Sequence, residues 1–84
     1  MQNGGVRSKV VLVTGASSGI GSALALEFAR RRWSVGLIAR RQEVLDNVAG
    51  AVRAAGGDPL PIAADVTDID SVKGAVNRIY SKWG

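Results

Sequence analysis

Three glycines with the spacing Gly-x-x-x-Gly-x-Gly, at positions 15, 19 and 21, are the residues best placed to bind a ligand. They follow the apolar run Val10–Val13 and precede an amphipathic stretch. Gly15 allows a tight turn out of a strand, Gly19 allows close approach of a ligand, and Gly21 allows the next helix to pack tightly on the sheet. The free N–H groups and the positive dipole end of that helix would face an anion. The stretch therefore predicts a strand, a turn and a helix that bind a pyrophosphate.

Other phosphate-binding motifs fit this stretch less well. A P-loop needs a lysine after the Gly-x-x-x-x-Gly frame, and the frame that starts at Gly15 reads Gly-Ala-Ser-Ser-Gly-Ile with no lysine. The older dinucleotide fingerprint Gly-x-Gly-x-x-Gly is also absent. A structural strand-to-helix turn without any ligand is the remaining alternative.

The composition of the 84 residues excludes several classes of chemistry. There is no cysteine and no histidine, so neither disulfides nor thiolate chemistry are expected, and the commonest metal ligand and general base are missing. We predict no metal site. Residues 1–9 contain no apolar signal-peptide core, and no run is long enough to span a membrane. We therefore expect a cytoplasmic protein with no membrane partner.

The net charge of +4 raises the question of nucleic-acid binding. The basic clusters are Arg30–Arg32 and Arg40–Arg41. The first cluster lies where a helix is predicted to end, and cations there complement the helix dipole. Few aromatic residues interleave with the basic ones, so bases would find little to stack on. A solvated helix end is the better interpretation, and we expect no nucleic-acid partner.

The elements that must position these residues alternate as β-α-β-α-β-α. Strands are predicted at Lys9–Val13, Trp33–Ala39 and Leu60–Ala64, and helices at Gly19–Arg31, at Gln42–Ala55 and after an N-cap at Thr67. Residues 1–8 are predicted to be a disordered tail. This alternation predicts an α/β fold, a Rossmann-like doubly wound parallel sheet. The first strand is apolar on both faces, as in a buried parallel strand.

Two prolines in the third strand indicate its place in the sheet. Pro59 and Pro61 are two residues apart, so both missing N–H groups lie on the same side of the strand. Proline is tolerated in a sheet mainly at an edge. The third strand is therefore predicted at the edge, in the strand order 3-2-1.

The end of the second strand predicts the type of dinucleotide. An acidic residue at this place would accept hydrogen bonds from the ribose 2′-hydroxyl of NAD, but here Ala39 is followed by Arg40 and Arg41. A guanidinium attracts a 2′-phosphate and binds it with a charge-assisted fork. We therefore predict NADP rather than NAD. The alternative is that the two arginines merely solvate the start of the second helix, although a cation is disfavoured there.

Together these motifs resemble the short-chain dehydrogenase/reductase family. Its Thr-Gly-x-x-x-Gly-x-Gly motif matches from Thr14, Ala-Arg-Arg follows the second strand, and Asp-Val-Thr-Asp follows the third from Asp65. The resemblance implies hydride transfer between a nicotinamide and a small carbonyl or alcohol substrate. It also implies that the Asp65 side chain and the Val66 backbone read the adenine. The predicted cofactor-binding residues are Gly15, Ser17, Ser18, Gly19, Ile20, Gly21, Arg40, Arg41, Asp65 and Val66.

The sequence also departs from the family pattern. Arg32 stands where members usually have a glycine that ends the first helix, and Ser18 stands where many NADP-preferring members have a basic residue. The family's catalytic Ser, Asn and Tyr-x-x-x-Lys pair are not found in these residues. Tyr80 does not form such a pair, because Gly84 and not Lys follows it four places later. Tyr80 is assigned to the apolar stripe of the third helix, and no catalytic residue is predicted.

The missing catalytic motifs lead to two hypotheses about the chain. In the first, residues 1–84 are the N-terminal part of one NAD(P)-binding domain, from a truncated product, a fragment or a reading frame that stops early. The complete enzyme would then be an NADP-dependent homo-oligomer. In the second, the chain is a stand-alone, non-catalytic nucleotide-binding module.

Overall fold

The computed structural model describes residues 9–84 as three strands and three helices. In chain order they are β1 (Val10–Thr14), α1 (Gly19–Arg30), β2 (Ser34–Ala39), α2 (Gln42–Ala55), β3 (Asp58–Ala63) and α3 (Ile69–Trp83). The predicted alternation is confirmed, and β3 begins two residues earlier than predicted. The predicted disordered tail, residues 1–8, lies outside the described residues.

The three strands form one parallel sheet in which β2 is central. Val35 is in register with Val11 of β1 on one side and with Pro59 of β3 on the other. All six residues of β2 are buried, as expected for a parallel strand with neighbours on both sides. The predicted α/β class and the order 3-2-1 are confirmed.

Helices cover both faces of the sheet. Leu37 points to the face on which α1 and α2 pack, where it is fully buried with Leu45 and Val52. The next residue, Ile38, points to the opposite face and packs with Ala75 of α3. This arrangement brings the carboxyl ends of all three strands to one edge of the fold.

The edge beyond β3 is closed to a further strand by its prolines. The N–H of Asp58 donates to Trp33 O at 3.2 Å, and the N–H of Ala64 donates to Ala39 O at 2.9 Å. The even-numbered residues of β3 therefore direct their backbone N–H groups toward β2. The nitrogens of Pro59 and Pro61 face the outer side, where no donor is needed. The predicted edge position of this strand is confirmed.

The edge beyond β1 is chemically different. Lys9 O accepts from the N–H of Ser34 at 2.8 Å, so the backbone groups of Val10, Leu12 and Thr14 point to the outer edge. The Val10 and Leu12 residues are 43% and 42% exposed. The face of β1 that carries Val10 and Leu12 is therefore only partly covered, because the core on this side is built from residues of β2, β3 and α3.

The helix ends correct two predictions and clarify a third. Asp68, not Thr67, is the N-cap of α3, and its side chain accepts from the N–H of Asp70 at 3.0 Å. Tyr80 is 69% exposed and does not belong to the packed stripe; the neighbouring Ile79 occupies that place. After α1, Arg32 adopts a left-handed conformation with φ 63°, so the arginine occupies the conformation that glycine usually supplies.

Candidate functional site

The turn between β1 and α1 is built from backbone atoms and one serine. Gly15 has φ +65°, a conformation that side-chain-bearing residues rarely adopt. The hydroxyl of Ser18 accepts from the N–H of Gly21 at 3.0 Å and donates to Gly15 O at 2.8 Å. Ser18 is thus the N-cap of α1, a role that the sequence prediction, which treated it as a cofactor contact, did not assign.

The two later glycines of the turn have different surroundings. A Cβ at Gly21 would lie 2.8 Å from the carbonyl carbon of Gly15 and 3.1 Å from the Cα of Ala16. Gly21 therefore packs closely against the backbone directly after β1, so the tight approach predicted for this glycine lies at the end of the strand. A Cβ at Gly19 would meet no atom within 4 Å. That open space, together with the first-turn N–H groups of Gly19 and Ile20, leaves room for an anion at the start of α1.

A cavity of about 450 Å³ opens beside this turn, at the carboxyl ends of the strands. Six predicted site residues line it: Gly15, Ser17, Arg40, Arg41, Asp65 and Val66. Four lining residues were not predicted: Ile38, Ala39, Ala64 and Thr67. Each of these adjoins a predicted residue or lies two positions from one. They could have been predicted by including every residue at the ends of the second and third strands. Ser18, Gly19, Ile20 and Gly21 are not among the lining residues.

Asp65 is held in place by its own turn. Its Oδ1 accepts from the N–H of Thr67 at 2.9 Å and from the Thr67 hydroxyl at 2.6 Å, and its backbone N–H donates to the Ser71 hydroxyl at 3.2 Å. These two hydrogen bonds from Thr67 are the main reason that the pKa of Asp65 lies below its ordinary value, with the nearby Arg40 charge adding to them against some burial. Asp65 is therefore a carboxylate at neutral pH.

The second carboxylate oxygen of Asp65 faces Arg40. Arg40 Nη2 lies 3.4 Å from Asp65 Oδ2. The Arg40 side chain is 73% exposed and that of Asp65 41% exposed. The sequence prediction assigned these residues to different parts of a dinucleotide, and the structure brings them together across the mouth of the cavity.

Among the described residues there is neither a metal-ligand cluster nor a membrane-spanning helix. Between residues 9 and 84, no three His, Cys, Asp or Glu side chains are grouped so that they could hold a metal ion. None of the helices in that range has the length and apolar character needed to cross a bilayer. The site therefore combines space for an anion at the start of α1 with a cavity that is lined by one carboxylate and two guanidinium groups.

Comparison with known proteins gives one consistent result. The family model for short chain dehydrogenase matches residues 9–84. The 11-beta-hydroxysteroid dehydrogenase-like 2 protein of Arabidopsis thaliana is 40% identical over 80 residues, which is 94% of this chain and 26% of that protein. The chain spans about 26% of the length of the first curated relatives it matches.

Solved structures also superpose closely on this fold. A metagenomic short-chain oxidoreductase in complex with NADP superposes with a TM-score of 0.86 at 33% identity, over 94% of this chain and 36% of its own. An NAD⁺-bound xylitol dehydrogenase superposes with a TM-score of 0.88 at 33% identity, over 93% of this chain and 30% of its own. Dinucleotides of both kinds thus occur among the structural neighbours.

Proposed function

Because this chain belongs to the short-chain dehydrogenase/reductase family, we propose that it forms the adenosine-binding part of an NADP(H)-dependent oxidoreductase. The complete enzyme would transfer a hydride between the nicotinamide and a small carbonyl or alcohol substrate. We expect it to act in the cytoplasm as a homo-oligomer. Residues 1–84 would then be the N-terminal part of one NAD(P)-binding domain.

The end of β2 is the observation that carries the choice of NADP. Ala39, which is 8% exposed, lines the cavity where an acidic side chain would otherwise meet the ribose, and Arg40 and Arg41 follow it on the cavity wall. A carboxylate there would repel a 2′-phosphate, whereas a guanidinium attracts it and binds it with a fork of donors.

The remaining residues fit the other parts of the dinucleotide. The N–H groups of Gly19 and Ile20 at the start of α1 would hold the pyrophosphate, and the capped turn from Gly15 to Ser18 would keep them in position. The Asp65 carboxylate and the Val66 backbone would read the adenine. When bound, the cofactor supplies the hydride chemistry; this chain's residues bind and orient the adenosine half.

Replacement of Arg40 by alanine tests the proposed cofactor. NADPH affinity should fall by roughly tenfold to a hundredfold, because a charge-assisted contact to the 2′-phosphate is lost, while NADH affinity should change little. Arg53→Ala, at an exposed arginine of α2 that does not line the cavity, is the matched control. Adding Ala39→Asp to Arg40→Ala should reverse the preference, because the new carboxylate repels the phosphate and accepts from the ribose hydroxyl. Isothermal titration with both cofactors measures the ratio, and an unaltered ratio in Arg40→Ala would refute the NADP assignment.

A stand-alone nucleotide-binding module is the second candidate. It would need only the features that these 84 residues carry themselves, the glycine turn and the cavity with Arg40 and Asp65. In that case the 84-residue chain binds NADPH with the Arg40 dependence described above, and its presence changes no substrate-dependent NADPH oxidation. A measurable turnover that needs this chain would exclude the module.

A further inference from the structure

We propose that Arg40 links recognition of the 2′-phosphate to recognition of the adenine, by exchanging its contact with Asp65 for a contact with the phosphate. This inference rests on the proposed function and deepens it. Arg40 is then a specificity residue that controls whether the adenine-reading carboxylate is accessible. A dinucleotide that carries the phosphate would make Asp65 available to its own base.

The first step in the argument is how the two oxygens of Asp65 are used. Oδ1 accepts two hydrogen bonds from Thr67, at 2.9 and 2.6 Å, and is committed to the turn. Oδ2 faces the Arg40 guanidinium at 3.4 Å. An exocyclic amine that approaches the Asp65 carboxylate must therefore use Oδ2, on the side that Arg40 covers.

The second step is that the Arg40 contact is easily given up. A distance of 3.4 Å is at the long end for a hydrogen bond between charged groups. The Arg40 side chain is 73% exposed, so solvent screens the pair and replaces its donors when it moves. A phosphate with about two negative charges is a stronger partner for the fork than one oxygen of a half-exposed carboxylate.

The third step is that Asp65 stays in place and charged when Arg40 leaves. The hydrogen bonds from Thr67 are the largest cause of the lowered pKa of Asp65, and neither involves Arg40. The backbone of Asp65 is held separately by Ser71 at 3.2 Å. Departure of Arg40 thus uncovers Oδ2 as an acceptor without loosening the turn that aims it.

The consequence is a preference for adenine that depends on the 2′-phosphate. With NADP⁺, Arg40 moves to the phosphate and Oδ2 accepts from the adenine amine. With NAD⁺, nothing draws Arg40 away, and the amine competes with the guanidinium for the same oxygen. The affinity gained from the amine is therefore larger in the phosphorylated dinucleotide.

Four ligands and the 84-residue chain test this linkage. NADP⁺ and NAD⁺ are titrated beside their hypoxanthine counterparts, in which a carbonyl replaces the amine. The affinity ratio of adenine to hypoxanthine should be roughly threefold to tenfold larger in the phosphorylated pair. In Arg40→Ala the two ratios should become equal, and in the matched control Arg53→Ala, an exposed arginine of α2 that does not line the cavity, they should stay different. Arg40→Lys, which keeps the charge, should restore part of the difference.

The outcomes separate the linkage from the proposed function. Equal ratios in the unaltered chain, with NADP⁺ affinity still dependent on Arg40, overturn the linkage and leave the NADP assignment intact. A larger ratio in the NAD⁺ pair also overturns the linkage. If the chain binds no dinucleotide, or binds both equally whether or not Arg40 is present, the proposed function itself fails.

Discussion

Two turns lie at the same edge of the sheet, and different groups hold them: backbone packing in one, side-chain hydrogen bonds in the other. The β1–α1 turn owes its shape to backbone: Gly15 at positive φ, and Gly21 packed against the carbonyl of Gly15. The β3–α3 turn owes its shape to side chains, with Asp65 bound by Thr67 and with Asp68 capping the helix. At Gly15 and Gly21 the backbone turn leaves no room for a side chain without strain, whereas a turn built from polar side chains responds to protons, charges and ligands.

This contrast indicates a division of labour within one site. The backbone turn presents N–H groups whose geometry cannot adjust, which suits a pyrophosphate that every dinucleotide shares. The side-chain turn presents a carboxylate beside an exposed guanidinium, which suits the parts of the ligand that differ. The following predictions test the contrast, from the largest expected effect to the smallest.

Gly21→Ala should break the backbone turn. The added Cβ would lie 2.8 Å from the carbonyl carbon of Gly15, and the nearest atoms are all backbone, so no flexible side chain can move aside. We expect a loss of about 2–3 kcal/mol in the free energy of unfolding and a loss of binding for every dinucleotide. Gly50→Ala in α2, where a Cβ meets nothing within 4 Å, is the control and should gain about 0.5–1 kcal/mol. Thermal or urea unfolding of both variants measures the difference, and equal shifts would contradict the steric argument.

Gly19→Ala should separate binding from folding in the same turn. A Cβ there meets no protein atom within 4 Å, so the free energy of unfolding should not fall. The methyl group would occupy the space proposed for the pyrophosphate, and affinity for NADPH and NADH should drop alike, by roughly tenfold. Adenosine 2′-monophosphate, which lacks the pyrophosphate, should bind as before. Gly74→Ala in α3 is the control, and unaltered NADPH affinity in Gly19→Ala would move the pyrophosphate elsewhere.

The two helix caps should cost similar stability but differ in their effect on binding. Ser18→Ala and Asp68→Ala each remove a side-chain cap and should each lower the free energy of unfolding by about 1 kcal/mol. Only Ser18 is also bonded to the glycine turn, at Gly15 O, so only its loss should weaken dinucleotide binding. Urea unfolding combined with titration of NADPH compares the pair. Weaker binding in Asp68→Ala than in Ser18→Ala would reverse the contrast.

Thr67→Ala should reveal the titratable character of the side-chain turn. Both hydrogen bonds to Oδ1 are lost or weakened, so the pKa of Asp65 should rise toward its ordinary value. A carboxylate whose pKa is lowered by folding stabilises the fold above its unfolded pKa, and this stabilisation disappears as the pH falls through the folded value. The variant should therefore be less stable at neutral pH and equal to the parent in acid. Carboxyl NMR titration follows the pKa directly, and Thr67→Ser should preserve the original value.

The sequence predicted the backbone turn better than the side-chain turn, for a physical reason. The need for glycine at Gly15 and Gly21 follows from local sterics, which spacing alone encodes. The contact between Arg40 and Asp65 joins residues 25 positions apart and depends on how two strands end side by side and on which rotamers meet. Neither can be read from a local pattern.

Two smaller errors have similar causes. Thr67 and Asp68 are both good capping residues, and the choice between them depends on where the first turn of α3 begins. Ile79 and Tyr80 lie about 100° apart around the helix, at the two borders of one apolar stripe, and the packing of α3 on the sheet decides which one is buried. The strand order, by contrast, was predictable, because two prolines of the same parity place β3 at an edge, which agrees with the order 3-2-1 of a doubly wound half-sheet.

The unequal edges of the sheet also give it a direction of growth. Beyond β3, the outward positions of Pro59 and Pro61 carry no N–H, so an incoming strand would find donors missing. Beyond β1, the N–H and C=O groups of Val10, Leu12 and Thr14 form a regular ladder next to apolar side chains. Among residues 9–84 that ladder has no partner strand, so a further strand can be added to this sheet more readily beyond β1 than beyond β3.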